Sequence, residues 1–303
     1  MNEKRARVYS IYAVITALYT VFVILWGAFV RVTGSGAGCG QHWPTCHGEI
    51  IPRAQTLETL IEVTHRATSG LCMLLIVGLY LLARWAFPKG HRARFGALLC
   101  VVFIIIEALV GASIVLLEYV AYDDSAARAG WMALHLVNTY LLMAVVYLAW
   151  WWGKGNRAIQ LRVSSPARTF FILAAVGIAI VSVTGAITAL GDTLYPIAGG
   201  TTLSDRITGG EMSGHYLVRL RVVHPVLACT VALYLMTAPW NVATDRTKPA
   251  AMLITVAAIT QVLFGLANVY LAAPAGMQLG HLFLALVVWL SVVNFAAETM
   301  SEP

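Results

Sequence analysis

Eight stretches of about 20 or more mostly apolar residues recur along the 303-residue chain, near 9–31, 58–83, 95–118, 130–152, 168–190, 215–238, 250–272 and 278–297. About 20 such residues let an α-helix cross roughly 30 Å of hydrocarbon. Within that layer only helices and closed barrels satisfy their own backbone hydrogen bonds. The pattern predicts an all-α polytopic membrane protein of eight transmembrane helices. Composition agrees: 59% of the residues are hydrophobic and 11% charged, against about 25% charged in a soluble domain. Disorder, a disulfide-rich secreted scaffold and a nucleic-acid-binding arm are excluded. The net charge of +6 is a topology signal rather than a sign of a nucleic-acid partner, and the implied surroundings are membrane lipids.

Lys4, Arg5 and Arg7 precede the first apolar run, as they would in a signal peptide. That run is too long for a signal core and ends at Arg31 without a small-x-small cleavage site, so it reads as a helix. With the N-terminus inside, the inner segments carry Lys4, Arg5, Arg7, Arg84, Lys89, Arg92, Arg94, Lys154, Arg157, Arg162, Arg168, Arg246 and Lys248. The outer side keeps Arg31, Arg53, Arg66, Arg128, Arg206, Arg219 and Arg221. Thirteen against seven predicts a multi-pass protein of the cell membrane with both termini cytoplasmic. Several outer arginines sit at helix ends and need a second explanation.

Short segments recur in the same order in each half. Gly27-Ala28-Phe29-Val30 is echoed by Gly185-Ala186-Ile187-Thr188, and Glu62-Val63-Thr64-His65 by Arg221-Val222-Val223-His224. Glu107-Ala108-Leu109-Val110-Gly111 is echoed by Gln261-Val262-Leu263-Phe264-Gly265, and His135 by His281. The chain divides into a four-helix bundle over 1–152, a basic linker over 153–167 and a second bundle over 168–303. Four spans per unit give both copies one orientation, so the repeats run parallel.

Four of the eight histidines, His65, His135, His224 and His281, lie in the even-numbered spans, each within about ten residues of the outer start. One such histidine is ordinarily a hydrogen-bonded core residue. Two pairs at matched depth are harder to dismiss, because ionisable groups at bilayer depth are costly and usually functional. Zinc and copper sites recruit further His, Cys or carboxylate ligands, whereas haem brings four nitrogens of its own and needs only one or two axial ligands. Two bis-histidine haem sites, His65 with His135 and His224 with His281, are the reading these residues favour. Arg66 and Arg221 stand where haem propionates would point, or simply snorkel to the headgroups.

Thr33-Gly34-Ser35-Gly36-Ala37-Gly38-Cys39, Trp43-Pro44-Thr45-Cys46-His47-Gly48 and Glu62-x-x-His65-Arg66 together resemble the haem A synthase family, over essentially the whole chain. The resemblance implies a membrane oxidoreductase that converts the C8 methyl group of haem O to a formyl group by successive hydroxylations, supplying haem A to a terminal oxidase. It further implies haem B in the C-terminal half, and substrate haem O or product haem A in the N-terminal half. Haem O would come from a haem O synthase, with an electron acceptor or donor that the sequence does not identify. A homo-oligomer is compatible with a compact bundle.

Glu62 shares a helix face with His65, and the repeat has Arg221 in its place. A carboxylate beside the haem in one half alone suits a catalytic group, and the rival reading is an ion pair with a nearby arginine. The glycine-rich run over 34–40 follows a membrane helix rather than a strand, so it is not a dinucleotide fingerprint but packing over the haem site. Cys39 and Cys46, with six residues between them on the outer side, suit a disulfide. Thiols that cycle, or a metal site with His42 and His47, remain open. Cys72, Cys100 and Cys229 read as small core residues. The 191–214 loop lacks the second cysteine pair that some members of the family carry. Glu107, opposite Gln261, is either a proton-handling group or a polar helix–helix contact. Two other functions fit parts of the pattern: a diheme electron carrier, and a duplicated-bundle transporter, whose broken helices the Gly and Pro placements at helix ends do not suggest.

Overall fold

Hydroxyl side chains begin several of the long helices where the apolar runs open. Thr56 Oγ1 accepts from Thr59 N at 3.2 Å, Ser125 Oγ from Arg128 N at 3.1 Å and Ser165 Oγ from Arg168 N at 3.2 Å, pairing donors that a helix start leaves without partners. His91 and His215 do the same through Nδ1, for Ala93 N at 3.2 Å and Leu217 N at 3.4 Å. Two histidines outside the four candidates are thereby accounted for as caps.

The computed structural model describes residues 3–50, 52–53, 56–160, 165–196, 202–208 and 214–301. Its helices are α1 (Glu3–Val32), α2 (Leu57–Ala86), α3 (Arg92–Leu116), α4 (Ala126–Gly153), α5 (Pro166–Leu194), a short α6 (Leu203–Thr208), α7 (Tyr216–Thr237), α8 (Lys248–Tyr270) and α9 (Ala275–Met300). Short 3₁₀ turns lie at Ser35–Ala37 and Ala238–Asn241. All but α6 are long and apolar enough to cross a membrane, and the chain is a multi-pass membrane protein. The boundaries read from hydropathy fall within a few residues of those observed, with α1 starting further upstream, because hydropathy marks the hydrocarbon layer while the helices run on to their caps. Arg162 and the rest of 161–164 in the linker, with 197–201 and 209–213 of the long loop, lie outside the described residues.

Neighbouring helices close two rings. α1 packs on α2, α2 on α3, α3 on α4 and α4 on α1; α5 packs on α7, α7 on α8, α8 on α9 and α9 on α5. One buried cluster holds Tyr9, Ile76, Leu79, Cys100, Val146 and Trp152. The other holds Phe170, Ile178, Ile254, Trp289 and Phe295. The rings meet where α1 and α4 contact α5 and α9. There Trp289 Nε1 donates to Tyr140 O at 2.8 Å, Ser182 Oγ to Tyr140 Oη at 3.0 Å, and Arg31 reaches Ala189 O at 2.7 Å and Gln278 Oε1 at 3.1 Å. The outward faces carry large apolar side chains such as Leu18, Leu74, Leu233 and Leu263, more than half exposed. In lipid this surface is the favourable one.

Candidate functional site

Each of the four spanning histidines faces a glycine on the preceding long helix. A Cβ placed on Gly27 of α1 would lie 2.9 Å from His65 Cε1, and one on Gly185 of α5 would lie 2.7 Å from His224 Cε1. On Gly265 of α8 it would lie 3.0 Å from His281 Cε1, and on Gly111 of α3 it would lie 3.6 Å from His135 Cε1. All four glycines fall within the recurring segments, where the sequence shows them but not their contacts. Absence of a side chain lets the helix backbones accept an imidazole edge at van der Waals distance.

The rings of His224 and His281 are 6.4 Å apart and perpendicular. Metal–imidazole bonds are about 2 Å long, which puts two axial rings on one metal at centroid separations of about 6–6.5 Å. Nδ1 of His65, His135 and His281 is buried without a hydrogen bond, a state that buried polar atoms rarely keep; Thr184 Oγ1 stands 3.3 Å from His224 Nδ1. Among the described residues no group of three or more His, Cys, Asp or Glu could hold a metal ion. A haem, with four nitrogens of its own, asks only for the pairs that are present. The residues fit that group.

Beside His65, Glu62 is almost wholly buried. Its Oε1 pairs with Arg66 one turn on, and its Oε2 accepts the backbone N–H of Cys39 at 2.8 Å. Cys39 and Cys46 are joined in a disulfide, with Cα atoms 4.5 Å apart, the first of the three readings their spacing left open. The loop is held down further by Thr59 Oγ1 donating to Gly38 O at 2.7 Å and by Arg66 donating to the carbonyls of His42 and Thr45. A Cβ on Gly38 would fall 2.5 Å from the backbone carbon of Glu58, so this position must be glycine for the loop to lie on α2. The glycine-rich run is a docked cap. Its contact with Glu62 had no sequence signal.

In the second ring Arg221 pairs with Asp192 at 2.8 Å and donates to Tyr195 O at 2.6 Å. That carboxylate is on α5 and not on the histidine helix. What distinguishes Glu62 is its place on the histidine helix and its bond to the disulfide loop. Pro225 follows His224 inside α7, whereas Pro88, Pro166, Pro249 and Pro274 stand at helix ends, so the prolines fall mainly there as expected. Cys229 is exposed, whereas Cys72 and Cys100 are buried as expected. Glu107 is a helix–helix contact, accepting from Asn138 Nδ2 and Thr139 Oγ1 of α4, and its Oε1 stands 3.5 Å from His135 Nδ1.

The arginines expected on the outer side acquire their second explanation. Arg66, Arg128, Arg206 and Arg221 each donate to backbone carbonyls of loops or helix ends, groups that a helix terminus leaves unpaired, and Arg31 donates to Ala189 O within α5. An open groove of about 400 Å³ is lined by Val63, Thr64, Ala67, Thr68 and Leu71 of α2. At 3.6 residues per turn these lie on the face opposite Glu62, His65 and Arg66, so the groove is separate from the histidine site. Near that end but outside the spans, the Tyr195 hydroxyl donates to Asp124 Oδ2 at 2.6 Å and holds its carboxyl below the usual range, with His215 adding at 3.3 Å.

A Thermus thermophilus protein named Protoheme IX farnesyltransferase is 46% identical over 290 residues, covering 94% of this chain and 47% of that protein. A Bacillus cereus Heme A synthase is 45% identical over 104 residues, 34% of this chain and 33% of the relative. A Bacillus anthracis Heme A synthase matches to the same extent. The matched region spans about half the length of the Thermus relative and about a third of each Bacillus one. The family model described as Cytochrome oxidase assembly protein covers residues 10–293. That span takes in the disulfide loop, Glu62 and all four glycine-backed histidines, so the chain belongs to the COX15-CtaA family, the haem A synthase family.

Proposed function

We propose that the chain oxidises the C8 methyl group of haem O to the formyl group of haem A by successive hydroxylations. His65 and His135 hold the substrate or product haem in the first bundle, 1–152; His224 and His281 hold a resident haem B in the second, 168–303. Both termini face the cytoplasm, and the disulfide end faces outward. The observation that carries this reading is the combination of two histidine pairs, each ring backed by a glycine, with Glu62 buried beside only one pair and tied to the disulfide loop.

When bound, haem B supplies one-electron redox chemistry. The protein supplies placement and proton handling. Two of the three methyl hydrogens are lost between methyl and formyl, so a group that takes up protons near that carbon assists the reaction. Glu62 suits this role: its carboxylate is withdrawn from solvent, and Arg66 and Cys39 N–H hold both its oxygens. Arg221 orients the second haem from the outer end through Nη1, and Arg66, with four of its five N–H groups on Glu62, His42 O and Thr45 O, has one left for the first. The capping loop closes the pocket from that side.

The name of the Thermus relative motivates a second reading, farnesyl transfer to protohaem. That protein is about twice as long as the region shared with this chain. A farnesylated protohaem is the substrate the proposed oxidation requires, so the remaining half of the relative would make what the shared half consumes. Extraction of the haems from the purified full chain, followed by HPLC, tests the reading. Haem A or hydroxylated haem O is expected. Haem B alone would indicate an electron carrier, and turnover of a farnesyl diphosphate by this chain would indicate the transferase.

A further inference from the structure

Glu107 and Gln261 occupy the same place in the two rings. Each lies four residues, one helical turn, before the glycine that backs a histidine: Glu107 before Gly111 on α3, and Gln261 before Gly265 on α8. Each also reaches that histidine. Glu107 Oε1 stands 3.5 Å from His135 Nδ1, and Gln261 Nε2 stands 3.2 Å from His281 Nε2. The carboxylate is fixed there by two donors. Asn138 Nδ2, which also bonds Phe103 O at 3.0 Å, donates to one oxygen, and Thr139 Oγ1 donates to the other. One ring thus offers its histidine a carboxyl group at Nδ1, and the other an amide at Nε2.

Carboxylate partners raise the basicity of a metal-bound imidazole, and hydrogen bonding to an axial ligand is one of the levers by which a protein sets a haem potential. A negative charge in an apolar bundle is weakly screened, so it favours the more positive, oxidised iron. An amide has the same shape and no charge. We propose that Glu107 is a positioning residue that sets the reduction potential of the haem held by His65 and His135 below that of the haem held by His224 and His281. Gln261 holds the corresponding helix position in the second ring but meets the other nitrogen of its histidine. An electron shared between the two sites then rests on the second. The proposal deepens the reading above and rests on it.

The test uses the full chain purified in detergent, saturated with haemin and titrated potentiometrically by absorbance. The first-ring couple is identified as the one missing from His65→Ala protein. Glu107→Gln should raise that couple at least tenfold in the reduced-to-oxidised ratio at fixed potential, 59 mV for one electron, and leave the other couple in place. Gln261→Glu should lower the second couple and spare the first. Haem content, measured as pyridine haemochrome, should match the parent protein in both variants. Couples that stay put, or move together, with haem content intact overturn the proposal while leaving the haem sites standing. Loss of the haem from Glu107→Gln reduces Glu107 to a brace between α3 and α4. A parent protein that binds no haemin defeats the underlying reading itself.

Discussion

Glu62 sits between a guanidinium, a loop N–H and an imidazole helix, and the chemistry turns on which of these it serves. Its pairing with Arg66 is what the bare ion-pair reading anticipates, and that much was legible from the four-residue spacing. The N–H of Cys39 arriving at its second oxygen was not, because the path of a loop is set by contacts distant in sequence. Replacing one partner of a buried pair is normally destabilising. Arg66 keeps the carbonyls of His42 and Thr45, which softens that loss. Glu62→Gln should therefore fold and keep its haem, while conversion of haem O falls by about 10²- to 10⁴-fold, the usual worth of a general acid–base group. HPLC of the bound haems, beside a thermal melt, separates the two roles. Wild-type haem A from a destabilised variant would return Glu62 to a structural ion pair.

At the scale of elements, the eight spans were legible because a bilayer imposes a length and a composition on every helix that crosses it. The four ring-bearing positions were also legible, since histidines at matched depth stand out against apolar neighbours. The glycines opposite them had only their place in the repeat, and a glycine in a membrane helix has many uses. The structure grades them. A methyl on Gly185 or Gly27 would crowd the imidazole at 2.7 and 2.9 Å, whereas on Gly111 it would meet His135 at an ordinary 3.6 Å. Gly185→Ala and Gly27→Ala should weaken haem retention or shift the absorption bands, because the ring must turn away from its position. Gly111→Ala should behave as the parent. Equal effects at all three, read by haem titration with visible spectra, would mean that the contact is not what places the imidazole.

Across the whole molecule, two separately packed rings meet along α1, α4, α5 and α9. The buried cluster of the first ring draws on α1 to α4, with Ala297 of α9 as its contribution from the second. That of the second draws on α5, α7, α8 and α9, with Tyr140 and Met143 reaching in from α4. The repeat in the sequence hinted at such a division, but which helices form the seam depends on side chains like Tyr140, Trp289 and Arg31 that have no counterpart in the recurring segments. If each ring packs around its own histidine pair, damage to one pair should stay local. His224→Ala or His281→Ala should then lose one haem, identified as haem B, and keep the other. His65→Ala or His135→Ala should lose the complementary one and with it the conversion of haem O. Pyridine haemochrome stoichiometry on the four purified variants decides the matter. Loss of both haems from a single replacement would mean that the seam makes the rings one cooperative site, and haem B surviving in His224→Ala would mean that the two pairs have been assigned to the wrong haems.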